Sequence, residues 1–300
     1  MTKTVFAAIC GKANAGKSSL MNLLVGEKVA ITGKKPQTTR TRINGILTKG
    51  DTQYVFVDTP GLHKPRSALS RHMLKSARSG AAGVDVVLLV ADCAQKSDAD
   101  ENAFLESIHG TDVILLLNKT DLVNDKTRLL KTIDEYRKSY DFAEIVPISV
   151  KDGSNIEKIL PLLYSYAKKS EFFFDPGMPT DQSERVWLSE IIREKLLGEL
   201  REEIPHGIAV RIESAESGKT NKGEEIIDIS AAVICEKQSH KGMVIGKGGA
   251  FLKNIGTKAR LEMQEYFGCK VNLKLWAKVA EDWRNKENLI NEFGLDSEVR

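Results

Sequence analysis

Short apolar runs punctuate the first half of the chain: VFAAIC, YVFVD, DVVLLVAD, DVILLLN and EIVPIS. Each ends in a loop marked by polar residues or glycine, and a segment with helical spacing of apolar positions follows most of them. Runs this short and this continuously apolar read as strands buried on both faces, alternating with helices. Residues 1–168 are therefore expected to form an α/β domain, a mostly parallel sheet with helices on both faces. INGILTKG followed by DTQYVFVD reads as a hairpin, which makes one edge antiparallel and the sheet mixed.

The rhythm breaks at KSEFFFDPGMPTDQS, where two prolines, a glycine and exposed-looking aromatics mark a linker over 169–184. A second domain over 185–282 has a different order. It runs helix (185–201), strand (207–214), strand (225–236), helix, glycine loop, helix (250–266) and strand (270–277). The tail over 283–300 is charged and is expected to be partly ordered.

With 41% hydrophobic and 28% charged residues among 300, the chain has enough apolar content for real cores, which excludes a disordered chain. Cys10, Cys93, Cys235 and Cys269 are scattered, with neither disulfide-framework nor zinc spacing. A net charge of +3 names no partner. The N-terminus lacks a secretory pattern and no apolar run reaches membrane-spanning length, so the cytoplasm is the expected location.

GKANAGKS, residues 11–18, fits G-x-x-x-x-G-K-[ST] between a strand and an apolar helix. Its backbone amides (Gly11, Lys12, Ala13, Asn14, Ala15, Gly16, and Lys17 to Ser19 entering the helix) would cradle phosphates. Lys17 would reach the β- and γ-phosphates and Ser18 would bind Mg²⁺. In DTPG (Asp58, Thr59, Pro60, Gly61), the carboxylate would hold Mg²⁺ through water and the Gly61 amide would meet the γ-phosphate. NKTD follows an apolar strand, and Asp121 can accept from guanine N1–H and N2–H₂, a donor pair adenine lacks. Asn118 would brace the loop and the Lys119 stem would pack over the base, which makes the nucleotide GTP or GDP. ISVK offers Ser149 and the Val150 amide to guanine O6, or is an ordinary strand-end loop. Between the first helix and the hairpin, Thr39 or its neighbour Thr38 would complete the Mg²⁺ shell.

Leu62 stands where many such hydrolases carry a water-positioning glutamine. Three substitutes are open: backbone groups of the switch loops, a residue from a partner, or a monovalent cation. Asn14 makes the last concrete as a K⁺ ligand beside the phosphates; equally, an asparagine there suits a turn. His63 reads as a loop histidine.

In the second domain HKGMVIGKGGAFLKNIGTKAR holds Lys241, Lys247, Lys253, Lys258 and Arg260 and no acidic residue. A glycine turn at Ile245, Gly246, Lys247, Gly248 and Gly249 admits a nucleic-acid backbone, and the lysines attract phosphate. With the order α-β-β-α-GxxG-α-β this reads as an α+β KH module of type II, with strand 226–236 as the floor under unstacked bases.

The motifs GKANAGKS, PQTTR, DTPGLHKP, NKTD, SEIIREKLL, EEIP and MVIGKGG together resemble the Era family of bacterial ribosome-assembly GTPases, over nearly the whole chain. The resemblance implies slow, RNA- or ribosome-stimulated hydrolysis of GTP and binding to 16S ribosomal RNA near its 3′ end. It also implies action on the small (30S) subunit during maturation and peripheral association with the inner membrane. A hydrophobic residue replacing the glutamine is normal in that family. ISVK departs from its more usual Ser-Ala pair, and Lys12-Ala13 are less usual positions that contribute backbone. Nothing in the sequence demands a dimer. An alternative is a constitutive RNA-binding assembly factor whose nucleotide domain senses GTP and GDP with negligible turnover.

Overall fold

The computed structural model describes residues 1–33, 35–62, 67–95, 97–108, 110–123, 125–200 and 204–295. His63, Glu202 and Glu203 of the EEIP motif, and the last five residues of the tail lie outside them. The chain divides into two compact units, the first formed by Met1–Thr32, Thr39–Arg66 and Ser70–Asp181, the second by Gly33–Thr38, Ser67–Leu69 and Gln182–Arg300.

The first unit is built on β1 (Lys3–Cys10), α1 (Lys17–Val25), β2 (Ile43–Lys49), β3 (Thr52–Asp58), α2 (Ala68–Ala81), β4 (Val86–Asp92) and α3 (Ala99–Ser107). It continues through β5 (Val113–Asn118), α4 (Lys126–Ser139), β6 (Glu144–Pro147), α5 (Ile159–Tyr164) and the short β7 (Lys168–Lys169). The strands form a seven-stranded sheet in the order β2-β3-β1-β4-β5-β6, with β7 pairing β1. Every neighbour from β3 to β6 is parallel; β2 runs antiparallel to β3 as the expected hairpin edge. Alternation along β1 sends Val5, Ala7 and Ile9 to a core shared with α1 and α5, and Ala8 and Cys10 to a core on the other face.

The segment read as a linker is attached chain through Asp181. Gln53, fully buried in β3, accepts from the Phe173 and Phe174 amides at 2.9 and 3.1 Å and donates to the Phe174 carbonyl at 2.9 Å. Further on, the Ile46 amide donates to the Pro179 carbonyl at 2.8 Å, and Asn44 donates to Asp181. These bonds satisfy backbone that a free linker would leave to water.

The second unit contains α6 (Glu184–Glu199), β8 (Ile208–Lys219), β9 (Glu225–Cys235), α7 (Gln238–Ile245), α8 (Ala250–Phe267), β10 (Lys270–Val279) and α9 (Glu287–Glu292). Its three-stranded sheet has the order β10-β9-β8, with β10 parallel and β8 antiparallel to β9. This is the KH arrangement expected from the element order. The described part of the tail, up to residue 295, is packed chain. Trp283 is fully buried and its indole N–H donates to the Gly207 carbonyl at 3.0 Å, while Ile290 of α9 is also buried. Two large apolar side chains anchor a segment expected to be partly ordered. No helix among the described residues is long and apolar enough to cross a membrane.

Candidate nucleotide site and nucleic-acid groove

The phosphate loop joins β1 to α1, with Gly16 capping the helix, so the amides at its start point into the loop. Lys17 is buried and its ammonium donates to the Gly11 and Lys12 carbonyls at 2.9 and 2.8 Å. Burial lowers its pKa, and the Asp58 carboxylate counters that effect. Ser18 Oγ lies 2.7 Å from Asp58 Oδ2 and 2.8 Å from Thr39 Oγ1, which is 3.5 Å from the same carboxylate oxygen. Asp58 Oδ1 is buried and accepts no hydrogen bond. Burial pushes this carboxyl up to about 6, against the pull of Lys17. An orphaned carboxylate oxygen beside two hydroxyls is a hard oxygen set that fits Mg²⁺. Thr39, not Thr38, stands in this cluster; the Thr38 hydroxyl donates to the Lys35 carbonyl.

Gly61 follows the buried Thr59–Pro60 pair, with the Thr59 hydroxyl donating to Ile9 O at 3.0 Å. A Cβ added at Gly61 would come within 2.9 Å of Ala13 N and Cα, so only glycine lets this turn meet the loop. Leu62 donates its amide to Gly11 O at 3.1 Å, and its side chain is 4% exposed in the core with Val57, Ala77 and Leu89. Here the leucine is a packing residue that pins the turn, and its aliphatic side chain has no hydrogen bond to offer an attacking water. Asn14 is exposed with φ +62°, the left-handed conformation that asparagine tolerates, so its identity suits the turn.

Asn118 joins the base loops to the phosphate loop. Its Nδ2 donates to Ala15 O at 2.8 Å and its Oδ1 accepts from Val150 N at 3.0 Å. Ser149 Oγ donates to Asp121 at 3.0 Å, and Lys151 lies 3.4 Å from the other Asp121 oxygen. The carboxylate that would read guanine is therefore held in one orientation. The Lys119 ammonium donates to Asp92 at the end of β4 at 2.8 Å. Sequence reading missed Asp92, since a carboxylate ending a strand carries no motif by itself.

In the second unit the GxxG turn separates α7 from α8. Gly248 has φ +58° and open space around its Cα, while a Cβ at Gly246 would strike Phe251. Lys247, Gly248 and Lys253 are exposed, Lys241 and Ile245 half-buried, and Gly249 caps α8 with no side-chain cap. A groove of about 400 Å³ runs beside the turn, lined by Leu252, Lys253 and Gly256 of α8 and by Leu273 and Leu275 of β10. The floor is thus the edge strand β10, not β9, because α8 lies against β10 and β9 is the central strand. The basic run is also less free than its composition suggests. Lys258 pairs with Glu199 and Arg260 donates to Gln264.

Residues 6–119 match the family described as 50S ribosome-binding GTPase, and residues 203–284 match the KH domain family. The chain is 43% identical over 298 residues to GTPase Era of Clostridioides difficile, covering 99% of both. It is 43% identical over 296 residues to GTPase Era of Alkaliphilus oremlandii, covering 98% of this chain and 99% of that one. Among solved structures it is similar, at a TM-score of 0.93 and 34% identity, to Era in complex with MgGDPNP and nucleotides 1506–1542 of 16S ribosomal RNA, covering 98% of this chain and 99% of that one. The same TM-score, at 35% identity, relates it to an Aquifex aeolicus Era variant bound to GDP·AlF₄⁻, again covering 98% and 99%.

Proposed function

Because the chain belongs to the Era family of GTPases, we propose that it is an RNA-regulated GTP switch acting on the 3′ end of 16S ribosomal RNA. The Ser18–Thr39–Asp58 oxygen cluster, with its orphaned carboxylate oxygen, carries the nucleotide half of this reading. Ser18, Thr39 and Asp58 would hold Mg²⁺, which when bound offsets charge on the β- and γ-phosphate oxygens. Lys17 binds those oxygens, the Gly61 amide orients the γ-phosphate, and Asp121 selects guanine, with Ser149 and the Val150 amide near O6. Phosphoryl transfer asks mainly for positioning, so a buried Leu62 does not prevent it.

The GKGG turn, Lys241, Lys247 and Lys253 and the groove beside them would take single-stranded RNA through its backbone and base edges. Work on the small (30S) subunit in the cytoplasm, with peripheral contact at the inner membrane, belongs to the same reading. The test is GTP turnover in KCl with and without a single-stranded RNA copying the 16S 3′ end. Severalfold stimulation is expected. Tight RNA binding with no change in a negligible rate would favour the constitutive RNA-binding factor instead.

Asn14 is proposed as a K⁺ ligand, since it is an exposed amide within the phosphate loop. Turnover should then be faster in KCl than in NaCl, and Asn14→Ala should remove the difference. Equal rates in both salts would leave Asn14 as a turn residue only.

A further inference from the structure

Lys12 contributes more than backbone to the phosphate loop. Its ammonium lies 3.0 Å from Asp98 Oδ2 and 3.3 Å from Glu101 Oε2. Asp98 caps α3, accepting from the Glu101 amide at 3.1 Å. Glu101 is 1% exposed, and burial raises its pKa against the pull of the Lys12 ammonium and a hydrogen bond from the Tyr136 hydroxyl, so Lys12 offsets a charge sunk into the core. Burial works against the ammonium, yet the two carboxylates outweigh it and hold Lys12 above its ordinary pKa.

The backbone of the same residue touches the reacting side of the site. Its carbonyl accepts from the Lys17 ammonium at 2.8 Å, and residue 12 forms a parallel bridge with Leu62. Ala13, the next residue, is the one against which Gly61 closes. Between loop and α3 lies a cavity of about 10 Å³, lined by Lys12, Ala13, Asp92, Glu101 and Tyr136 among others.

We propose that Lys12 is a positioning residue for GTP hydrolysis: its ion pair with Asp98 and Glu101 fixes Lys12–Ala13, and through them the Lys17 ammonium and the Gly61 turn, against the γ-phosphate. GDP depends less on this strut, because it lacks the γ-phosphate that the Gly61 turn would meet, although Lys17 would still reach its β-phosphate. The inference rests on the GTPase reading, and wild-type turnover separates the two: a wild type without turnover removes that reading.

The experiment compares wild type with Lys12→Met, Lys12→Arg and Lys12→Met/Glu101→Gln, measuring kcat, GDP and GTP affinity and thermal midpoint. Lys12→Met should lose about tenfold to a hundredfold in kcat, the scale of a sub-ångström to ångström misplacement. Its GDP dissociation constant should move by less than about threefold. Lys12→Arg, which can span both carboxylates, should recover most of the rate. Adding Glu101→Gln removes the unpaired buried charge, so the thermal midpoint should recover while kcat stays low. Recovery of kcat together with the midpoint would reduce Lys12 to a stability element. An unchanged kcat in Lys12→Met, or equal losses of GDP and GTP affinity, would also overturn the inference.

Discussion

Asp121→Asn is expected to lower GTP affinity by about a thousandfold or more, on the scale seen when a site built to hydrogen-bond one group meets its mismatch. The carboxylate is 13% exposed and is aimed by Ser149 on one oxygen and Lys151 on the other. Guanine presents two donors to it. An amide in its place offers one acceptor and one donor, so an N–H faces the guanine 2-amino group. Losing a charge-assisted pair and burying two opposed donors both count against binding. Xanthine carries a carbonyl at that position, so XTP affinity should rise in the same variant. Asparagine is isosteric with aspartate, which makes a folding defect a poor explanation for such an exchange. Calorimetric titration with GTP and XTP reads both effects; a loss under about tenfold with no gain for XTP would move guanine recognition elsewhere.

The nucleotide site was legible in the sequence because its parts are local. A glycine loop between a buried strand and a helix places its own amides, and Asp58, Asn118 and Asp121 follow strands whose continuous apolar runs fix where they end. The base loop at Ser149 and Val150 was the faintest of these signals. The structure ties that loop to the phosphate loop through Asn118, which bonds Ala15 and Val150 across large separations in the sequence.

What stayed hidden depends on partners far along the chain. Gln53 is a polar residue in an apolar strand, and nothing local says that it receives the backbone of Phe173 and Phe174. Trp283 sits in charged surroundings, and its burial depends on the Gly207 carbonyl and on Phe293, whose ring lies 5.5 Å from the indole. The groove floor was assigned to β9 on order alone, whereas the side-by-side pairing of β9 and β10 puts Leu273 and Leu275 next to α8. Lys12 was read through its backbone because the motif is a backbone motif, and only the packing of α3 reveals what its ammonium does.

One chain joins this GTP site to a GKGG turn proposed to bind RNA, and the double exchange Lys247→Asp/Gly248→Asp probes that link. Gly248 has nothing within 4 Å of an added Cβ, and aspartate tolerates its left-handed φ of +58°, so the fold should survive. Lys247 is exposed, and α8 begins just beyond with no side-chain cap. The exchange turns a positive loop negative where a phosphate would lie over free helix amides. The measurement is the affinity of the wild type and this variant for a single-stranded RNA copying the 16S 3′ end at fixed salt, with RNA-free GTP turnover as the control for an intact chain. RNA affinity about a hundredfold lower is expected, from reversal of charge at the contact, with RNA-free turnover retained. Equal RNA affinity in wild type and variant would contradict it.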